Sequence, residues 1–571
     1  MKMIQMAAAL SAGFRAMSNA CLAALILSIC PGMFAQDHPA RRGMVSSGHP
    51  LATDAGLNAL KRGGNAIDAA VAVGLTLGVV DPQNSGIGGG CFLLIRLANG
   101  NLVAIDGREM APAAADKDMF LRNGKADTTL SQTGPLASGV PGELAAFDYA
   151  LRKYGRFKLR DIILPAAGIA DQGFPLSSAS ARRLEAVARD MAAFKSSTAV
   201  FFKNGKPLEA GDLLRQPDLA ATYRSIADNG IKWFYRGPFA KATARWMAAN
   251  GGLLTARDFA NYRIVLRQPV ETSYRDYKVV SFPPPSSGGV HLVQMLNIVE
   301  HFDMKSLDPA TRMHVMAETM KLAFADRAHW LGDPDFAKVP RGLLSGSYAS
   351  ALAEKINTRS VTKVQRHGLP PDWETDLFKK HTTHFSVADE RGNWVACTAT
   401  VNTSFGSKVV IPGTGVVLNN QMDDFSTQPG IANHFGLIGA EANAIAPRKR
   451  PLSSMTPTIV LKNGEPVIAL GAAGGPKIIS AVFQQLIAML DLDQPAASAI
   501  AQPRFHHQWS PDELMIEKGL PNDLRSSLEQ RGHRISEHGA LSTSHIVSWD
   551  PRAKAFVGAA DPRSGGLAKG W

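Results

Sequence analysis

Apolar residues recur at helical spacing in two consecutive segments near the start of the chain. The first spans 49–62 and stops at Gly63-Gly64; the second spans 66–80, behind Asn65, and stops before Pro82. Glycine is preferred just after a helix, asparagine at its N-cap, and proline interrupts it. The pattern therefore predicts two helices in direct succession, the second apolar enough to be buried.

Apolar and polar positions alternate on both sides of a short turn in three other places, which is typical of β-hairpins. The paired segments are 92–97 with 102–106, 384–389 with 394–400, and 459–461 with 467–470. These hairpins lie in both halves of the chain and are flanked by helical patterns, among them 478–492. Strands packed with flanking helices predict an α/β (α+β) layered body.

The middle of the chain, roughly 145–355, is mainly helical by pattern. One face of the segment 311–331 is predicted to be core and carries Met313, Met316, Met320 and Phe324. Residues 356–381 then become polar, charged and proline-containing. This change in composition indicates an exposed or mobile connection between two halves.

The first 35 residues combine Lys2 and Arg15 with an apolar run over 21–30 and then Ala35. Positive charge, a short apolar run and a small residue, in that order, are typical of a secretory signal. We expect cleavage after Ala35 and a periplasmic or secreted protein, with an uncleaved anchor as the alternative. No later stretch of the sequence reaches 18 uncharged apolar residues, so no stable membrane span is expected once the signal is removed.

Composition narrows the classes of partner. The 571 residues include 61 Lys+Arg against 49 Asp+Glu, a net charge of +12, and the basic residues are scattered, with Arg448-Lys449-Arg450 as the longest run. We interpret the excess as solvated surface charge and expect no nucleic-acid partner, although a small anionic substrate is compatible. Four cysteines without a Cys-x-x-Cys or His/Cys cluster predict neither a disulfide framework nor a metal site.

Familiar catalytic motifs are missing from the sequence. It contains no G-x-S-x-G, H-E-x-x-H or Walker pattern. The glycine loop at 85–90 precedes a predicted strand, whereas a dinucleotide-binding loop follows one, so no cofactor is expected. His506-His507 lie next to each other, and neighbours on a strand point to opposite faces, which favours a structural role for both.

Thr382 lies where the polar connection meets a predicted strand. A threonine hydroxyl is a poor nucleophile without a base, but an N-terminal threonine can use its own α-amine. That amine, with a pKa of about 7.7–8.0, accepts a proton near neutrality. The chemistry would require cleavage between His381 and Thr382. On spacing alone, however, Thr382-Thr383 is an ordinary start to a strand.

Seven short sequences, taken together, resemble the gamma-glutamyltransferases, a family of self-cleaving N-terminal-nucleophile hydrolases. They are GGNAIDAA at 63–70, PQNSGIGGG at 82–90, GREMAP at 107–112, TTH at 382–384, NNQMDDF at 419–425, PLSSM at 451–455 and GG at 474–475. The resemblance extends from about 43 to 565. It implies an αββα four-layer sandwich built jointly by two subunits, with a signal peptide at 1–35, a large subunit at 36–381 and a small catalytic subunit at 382–571.

The resemblance also implies the reaction. Thr382 would attack the gamma-carbonyl of glutathione or another gamma-glutamyl compound, and the acyl-enzyme would pass to water or to an amino acid or peptide. Thr400 would hydrogen-bond the nucleophile, and Gly474 and Gly475 would form the oxyanion hole, since glycines leave backbone N–H groups unobstructed. By the same resemblance, no cofactor or metal would take part.

A gamma-glutamyl group ends in a zwitterion, which needs a forked cation for its carboxylate and acceptors for its ammonium. By resemblance, the carboxylate would be bound by Arg108, Ser453 and Ser454, and the α-amino group by Asn402, Gln421 and Asp424. The sequence departs from the family in the lid expected over 429–447, where Phe435 stands in place of a frequent tyrosine. Ala473 and Pro476 also flank the glycine pair differently.

Two other functions remain open at this point. One is a β-lactam acylase of the same fold that removes a glutaryl side chain, although that group lacks the ammonium for which Asp424 would serve. The other is a non-catalytic binding protein that never undergoes cleavage.

Overall fold

The computed structural model describes residues 39–374, 385–428 and 430–571. The expected signal peptide, the expected cleavage point and Thr382 therefore lie outside the described residues, and so does position 429 of the expected lid. Within the described ranges, no helix combines the length and apolar character needed to cross a membrane.

Two antiparallel sheets form the centre of the structure. Sheet I has seven strands, in the spatial order Val265–Arg267, Leu102–Gly107, Gly90–Arg96, Trp394–Thr400, Ser386–Asp389, Gly43–Ser47 and Leu567–Gly570. Sheet II has six, in the order Val270–Tyr274, Tyr277–Ser281, Thr458–Lys462, Glu465–Ala473, Thr543–Asp550 and Ala555–Ala560. Each sheet thus combines strands from before and after the expected cleavage point.

The two sheets pack face to face because their strands are apolar on both sides. Leu94 and Ala396 of sheet I join Ile459 and Ala469 of sheet II in one buried cluster between the sheets. The neighbouring residue Leu93 points the opposite way and packs with helices. This alternation follows from the period of two along a strand and produces the inner two layers of the sandwich.

Helices cover the outer face of each sheet. Sheet I packs against Pro50–Lys61, Ala66–Val80 and Glu143–Tyr154, with Leu159–Gln172, Ser178–Met191, Pro217–Asn229 and Pro238–Asn250 further out. Sheet II packs against Gly288–Val299 and Lys477–Leu486, with Pro309–Trp330 beside them. Helix, sheet, sheet and helix make four layers.

Shorter elements decorate these layers. The remaining α-helices are Thr128–Gln132, Lys195–Phe201, Lys232–Tyr235, Ala256–Asn261, Gly346–Ala353, Ala496–Ala501 and Asn522–Gln530. A three-stranded sheet contains Phe505–His507, Leu514–Glu517 and Ile535–His538. Three two-stranded ribbons pair Leu121–Arg122 with Lys125–Ala126, Phe174–Pro175 with Leu213–Leu214, and Phe202–Lys203 with Lys206–Pro207.

The predicted helix boundaries near the start of the chain are confirmed. The helices are Pro50–Lys61 and Ala66–Val80, and the Asn65 side chain accepts hydrogen bonds from the backbone N–H groups of Ile67 and Asp68. Asp68 in turn accepts from the backbone N–H of Asn65, at 2.8 Å, which completes a capping box. All three predicted hairpins are also present, with strand bounds that differ from the predicted ones by up to three residues.

The helix Pro309–Trp330 differs from its prediction in one respect. Its four predicted core residues, Met313, Met316, Met320 and Phe324, are buried, but so is most of its polar face. That face carries charged side chains, among them Arg327 and Lys321, whose hydrogen bonds are made inside the protein. Hydrophobic periodicity identifies the apolar face of a helix, but it does not show whether other segments also bury the polar face.

Candidate active site

The described site residues predicted from the sequence all line one cavity of about 290 Å³. They are Arg108, Thr400, Asn402, Gln421, Asp424, Ser453, Ser454, Gly474 and Gly475. The tenth predicted residue, Thr382, lies outside the described residues. Side chains separated by more than 300 positions in the sequence are thus brought to one place.

Strand ends from both sheets bring these residues together. Arg108 directly follows the strand Leu102–Gly107, and Thr400 is the last residue of Trp394–Thr400. The strand Gly90–Arg96 lies between those two and pairs with both. Gly474 directly follows the strand Glu465–Ala473 of sheet II. The cavity therefore lies at the ends of strands from both sheets.

Arg108 is almost completely buried, and backbone groups hold it in place. Its Nε donates to the carbonyl of Pro451 at 3.1 Å, and its Nη2 donates to the carbonyl of Leu452 at 3.2 Å. Nη2 also donates to Asp424 Oδ2 at 2.5 Å. Because Pro451 and Leu452 directly precede Ser453 and Ser454, the guanidinium has a fixed position beside the two serines.

Asp424 and Gln421 form the acceptor side of the cavity. Gln421 Nε2 donates to Asp424 Oδ2 at 2.6 Å, so this oxygen receives two donors, the other being Arg108. Among the described residues, Asp424 Oδ1 has no hydrogen-bond partner, and neither does the buried Gln421 Oε1. A buried acceptor without a partner costs about 1–3 kcal/mol, which a ligand that donates to it can offset.

Asn402 adds a third acceptor. Its Nδ2 donates to the carbonyl of Asn420 at 2.9 Å, which turns the amide so that Oδ1 has no partner within the described parts of the chain. The backbone N–H of Asn402 donates to Thr400 Oγ1 at 2.8 Å. Since the Thr400 hydroxyl already accepts this bond, its own proton remains available to another acceptor.

Gly474 and Gly475 occupy positions where a side chain would collide. A Cβ on Gly475 would lie 2.5 Å from Phe435 Cδ1, and one on Gly474 would lie 2.9 Å from the carbonyl oxygen of Leu541. Their φ angles are +141° and +61°, which favour glycine. The pair sits between a strand and the helix Lys477–Leu486, whose N-terminus provides a partial positive charge.

Phe435 belongs to the predicted lid and lines the cavity against Gly475. The segment is anchored next to Phe435 through Asp423, which accepts from the backbone N–H of His434 at 3.0 Å and from Ser131 Oγ at 2.6 Å. The phenyl ring has no hydrogen-bonding group, so it closes this side of the cavity by packing alone.

Two ionisable residues near the cavity were not assigned from the sequence. Glu109 is buried 3.7 Å from Arg108, and burial raises the pKa of its carboxyl to about 8. Arg327 donates from Nη2 to Ser454 Oγ at 3.1 Å. Glu109 could have been singled out from the sequence because it lies within GREMAP. The sequence signal for Arg327 is weaker, since it is only a cation in a helix with an apolar face.

A second cavity, of about 500 Å³, adjoins the first. The two share seven lining residues: Asn84, Arg183, Thr398, Ala399, Ala473, Thr543 and Arg563. Beyond these, its walls include the apolar side chains Leu51, Leu77, Phe174 and Phe385. The space next to the candidate site is therefore large enough for part of a substrate.

A group of potential metal ligands lies away from both cavities. It consists of His314, Glu318 and His533, which the expectation of no metal site overlooked because its members are far apart in sequence. Nδ1 of His314 and Nε2 of His533 are 2.7 Å apart and hydrogen-bonded. Glu318 Oε1 accepts from Lys321 Nζ at 2.7 Å. The two histidines are thus hydrogen-bonded to each other, while the carboxylate is paired with a lysine.

His506 and His507 are both buried and point in different directions, in agreement with the structural role predicted for them. His506 Nδ1 lies 2.7 Å from Ser480 Oγ, whereas His507 Nε2 lies 3.1 Å from Asp512 Oδ1. Neither histidine lines the two cavities.

Known proteins resemble this chain over nearly its full length. Residues 52–571 match the sequence model of the family described as gamma-glutamyltranspeptidase. The glutathione hydrolase proenzyme of Escherichia coli (strain K12) is 46% identical over 536 residues, which is 92% of each protein. The predicted resemblance is therefore confirmed.

Solved structures have the same fold. The cephalosporin acylase from Bacillus halodurans superposes with a TM-score of 0.83 at 29% identity, over 94% of this chain and 97% of that one. The gamma-glutamyltranspeptidase of Helicobacter pylori gives a TM-score of 0.56 at 43% identity, over 57% of this chain and 95% of that one. Together with the four layers described above, these matches confirm the predicted N-terminal-nucleophile hydrolase fold.

Proposed function

The chain belongs to the gamma-glutamyltranspeptidase family, and on that premise we propose that it is a gamma-glutamyltransferase and glutathione hydrolase. The donor would be glutathione or another gamma-glutamyl compound, and the acceptor would be water, an amino acid or a peptide. One observation carries the assignment of the donor: three acceptor oxygens of cavity residues, Asp424 Oδ1, Gln421 Oε1 and Asn402 Oδ1, have no partner among the described residues. An ammonium group has three N–H donors to match them.

Residues beside these acceptors suit the carboxylate of the same donor. Arg108, Ser453 and Ser454 provide the positive charge and the hydroxyl donors. An α-amino acid has its ammonium and carboxylate on one carbon atom, so the groups that bind them must be adjacent. The direct contact between Arg108 and Asp424 fulfils that condition.

In the proposed reaction, the Thr382 hydroxyl oxygen bonds to the gamma-carbonyl carbon and its proton passes to the α-amine of Thr382. The negative charge that develops on the carbonyl oxygen is stabilised by backbone N–H groups at Gly474 and Gly475. The leaving amine takes the proton as the C–N bond breaks, which leaves a gamma-glutamyl ester. Water or an acceptor amine then breaks the ester by the same steps in reverse. The proton that Thr400 retains would be donated to the nucleophile oxygen.

We further propose that the chain cleaves itself between His381 and Thr382, after loss of a signal over 1–35, to give subunits 36–381 and 382–571 in the periplasm or outside the cell. The pairing of strands supports a lasting heterodimer. Strand Trp394–Thr400 pairs with Gly90–Arg96, and Gly43–Ser47 pairs with Ser386–Asp389. Backbone hydrogen bonds and the core between the sheets would hold the two subunits together after the cut.

Replacing Thr382 tests the proposal. The purified wild-type protein should give two bands on a denaturing gel, the smaller beginning at Thr382, and should release p-nitroaniline from gamma-glutamyl-p-nitroanilide. Thr382→Ala should give one band and no turnover, while Thr382→Ser should retain part of both. Thr198→Ala, at a surface helix, serves as the matched control. Full activity in Thr382→Ala would contradict the nucleophile assignment, and a single wild-type band would favour a non-catalytic protein.

A β-lactam acylase is the second candidate, supported by the similarity to the cephalosporin acylase. A glutaryl group has a carboxylate but no ammonium, so it would leave the three acceptor oxygens without a donor. We therefore expect gamma-glutamyl-p-nitroanilide to be hydrolysed faster than glutaryl-p-nitroanilide. The reverse preference would replace the proposed function with that of an acylase.

A further inference from the structure

Arg327 lies on the covered polar face of the helix Pro309–Trp330, behind the two serines of the cavity. It is only 6% exposed. Burial lowers the pKa of its guanidinium to about 10, so the group remains positively charged at neutral pH. A guanidinium has five N–H donors and no acceptor, so every hydrogen bond that it makes has a known direction.

One guanidinium reaches both serines by different routes. Nη2 of Arg327 donates to Ser454 Oγ at 3.1 Å. Nε donates to Ser287 Oγ at 3.0 Å, and the Ser287 hydroxyl donates in turn to the backbone carbonyl of Ser453 at 2.8 Å. The backbone N–H of Ser287 donates to the same carbonyl, also at 2.8 Å. Arg327 therefore fixes the side chain of one serine and the backbone of the other.

These bonds determine what the serine hydroxyls can do. A hydroxyl has one proton to donate and lone pairs that accept. Because Arg327 can only donate, Ser454 Oγ accepts and keeps its proton. Ser453 Oγ likewise accepts, from the backbone N–H of Met455 at 3.1 Å. Within the described residues neither serine hydroxyl donates to any protein group, so both protons are left for a ligand that accepts hydrogen bonds.

The charge around Arg327 points to the same kind of ligand. In the described parts of the chain no carboxylate forms a salt bridge with it, and Asp424 interacts with it only at longer range. Asp424 instead pairs with Arg108. The serines thus lie between the cavity and a buried positive charge without a close counter-ion, an arrangement that favours an anion.

We propose that Arg327 is a positioning residue for the α-carboxylate of the donor, holding Ser453 and Ser454 as hydrogen-bond donors and adding a second positive charge behind them. It acts through the serines and does not itself reach the reacting atoms. The inference rests on the proposed function, since the carboxylate is that of the gamma-glutamyl donor.

The test compares two donors that differ only in that carboxylate: gamma-glutamyl-p-nitroanilide and 4-aminobutanoyl-p-nitroanilide. Arg327→Met should raise KM for the first by about 10- to 100-fold, the range that follows from losing a hydrogen bond to a charged group. It should change kcat less, and leave KM for the second donor near the wild-type value. Arg327→Lys keeps the charge but cannot make both bonds, so its KM should be intermediate.

Further variants separate positioning from a general structural role. Ser454→Ala should already remove most of the effect, so combining it with Arg327→Met should be no worse than the more damaging single change. Ser287→Ala breaks only the route to Ser453 and should raise KM for the carboxylate donor less. Arg312→Lys is the matched control: it lies on the same helix and donates to the carbonyls of Met304 and Leu307.

Each outcome decides the inference. Equal losses with both donors, or fully additive effects of Arg327→Met and Ser454→Ala, would overturn it. If Arg327→Met does not fold, Arg327→Lys and Ser287→Ala carry the test, and an unchanged donor preference in both would refute positioning. A wild-type enzyme without gamma-glutamyl turnover would instead refute the proposed function, which keeps the two failures distinct.

Discussion

Replacing Asp424 by Asn gives the sharpest test of ammonium recognition, because the surrounding bonds determine how the new amide must turn. In the wild type, Oδ2 of Asp424 accepts from Arg108 at 2.5 Å and from Gln421 at 2.6 Å. In Asp424→Asn the amide oxygen must take this position, since it is the only acceptor. The NH₂ group then replaces Oδ1, where the ammonium of the donor is expected.

The expected loss follows from that geometry. Removing one partner of a buried charge pair costs about 2–5 kcal/mol, equal to roughly 30- to 5,000-fold in kcat/KM. The Asp424 side chain is only 12% exposed, so solvent screens the lost attraction little. The variant also places its NH₂ group, a hydrogen-bond donor, against the substrate ammonium, which is a donor as well. We therefore expect the loss for gamma-glutamyl-p-nitroanilide to exceed about 100-fold, in the upper part of that range.

The assay measures initial rates with gamma-glutamyl and glutaryl anilides for the wild type, Asp424→Asn and Asp423→Asn. Asp424→Asn should lose the gamma-glutamyl rate and retain the glutaryl rate, because a glutaryl group places no ammonium against the new NH₂. Asp423 is the matched control, since its carboxylate holds Ser131 and the backbone of His434 and does not line the cavity. Its variant should affect both donors equally. An unchanged preference in Asp424→Asn, with normal cleavage and an unchanged Tm, would refute ammonium recognition by this residue.

Three further predictions concern neighbouring residues. Thr400→Val removes the proton available to the nucleophile and should lower kcat by about 10-fold or more with little change in KM. Thr400→Ser should recover most of the lost kcat. A Val variant as active as the wild type would exclude the hydrogen bond. Gly475→Ala should lower kcat and Tm because its Cβ would lie 2.5 Å from Phe435. Adding Phe435→Ala should restore part of the lost Tm. If the Tm is not restored, the strain lies in the backbone. Because burial raises the pKa of Glu109 from 4.5 to about 8, its neutral form stabilises the fold below pH 4.5, and this contribution is lost as the pH rises toward 8. The Tm of the wild type relative to Glu109→Gln should therefore fall across that range, and a pH-independent difference would contradict the shift.

Local features of the fold were predictable because local chemistry determines them. Asn65 ends one connection and begins a helix by accepting two backbone N–H groups, which any sequence with asparagine at that place would favour. The hairpins follow in the same way from alternation and turn residues. The order of the strands in the two sheets did not follow from periodicity, since pairing between distant segments such as 90–96 and 394–400 leaves no local pattern.

The candidate site was likewise predictable only in part. Arg108 and Asp424 were predicted because each lies within a motif of the family, yet their direct contact was not, since 316 positions separate them. Arg327 was missed for a different reason. Its helix was predicted from its apolar residues, whereas the residues that bury its polar face come from other parts of the chain. Residues that act through a neighbour therefore become visible only when hydrogen-bond directions are followed in the structure.

The distribution of the site across the proposed cut limits how the subunits can behave. Arg108 and Arg327 precede Thr382, whereas Ser453, Ser454 and the three acceptor residues follow it. Neither part alone contains both Arg108 and the serine hydroxyl groups that would bind the carboxylate with it. Arg108 is also held by the carbonyls of Pro451 and Leu452, so separating the parts would break bonds within the site itself. Under the proposed cleavage, recognition of the donor would therefore depend on the interface between the two parts, and it would require that they remain paired.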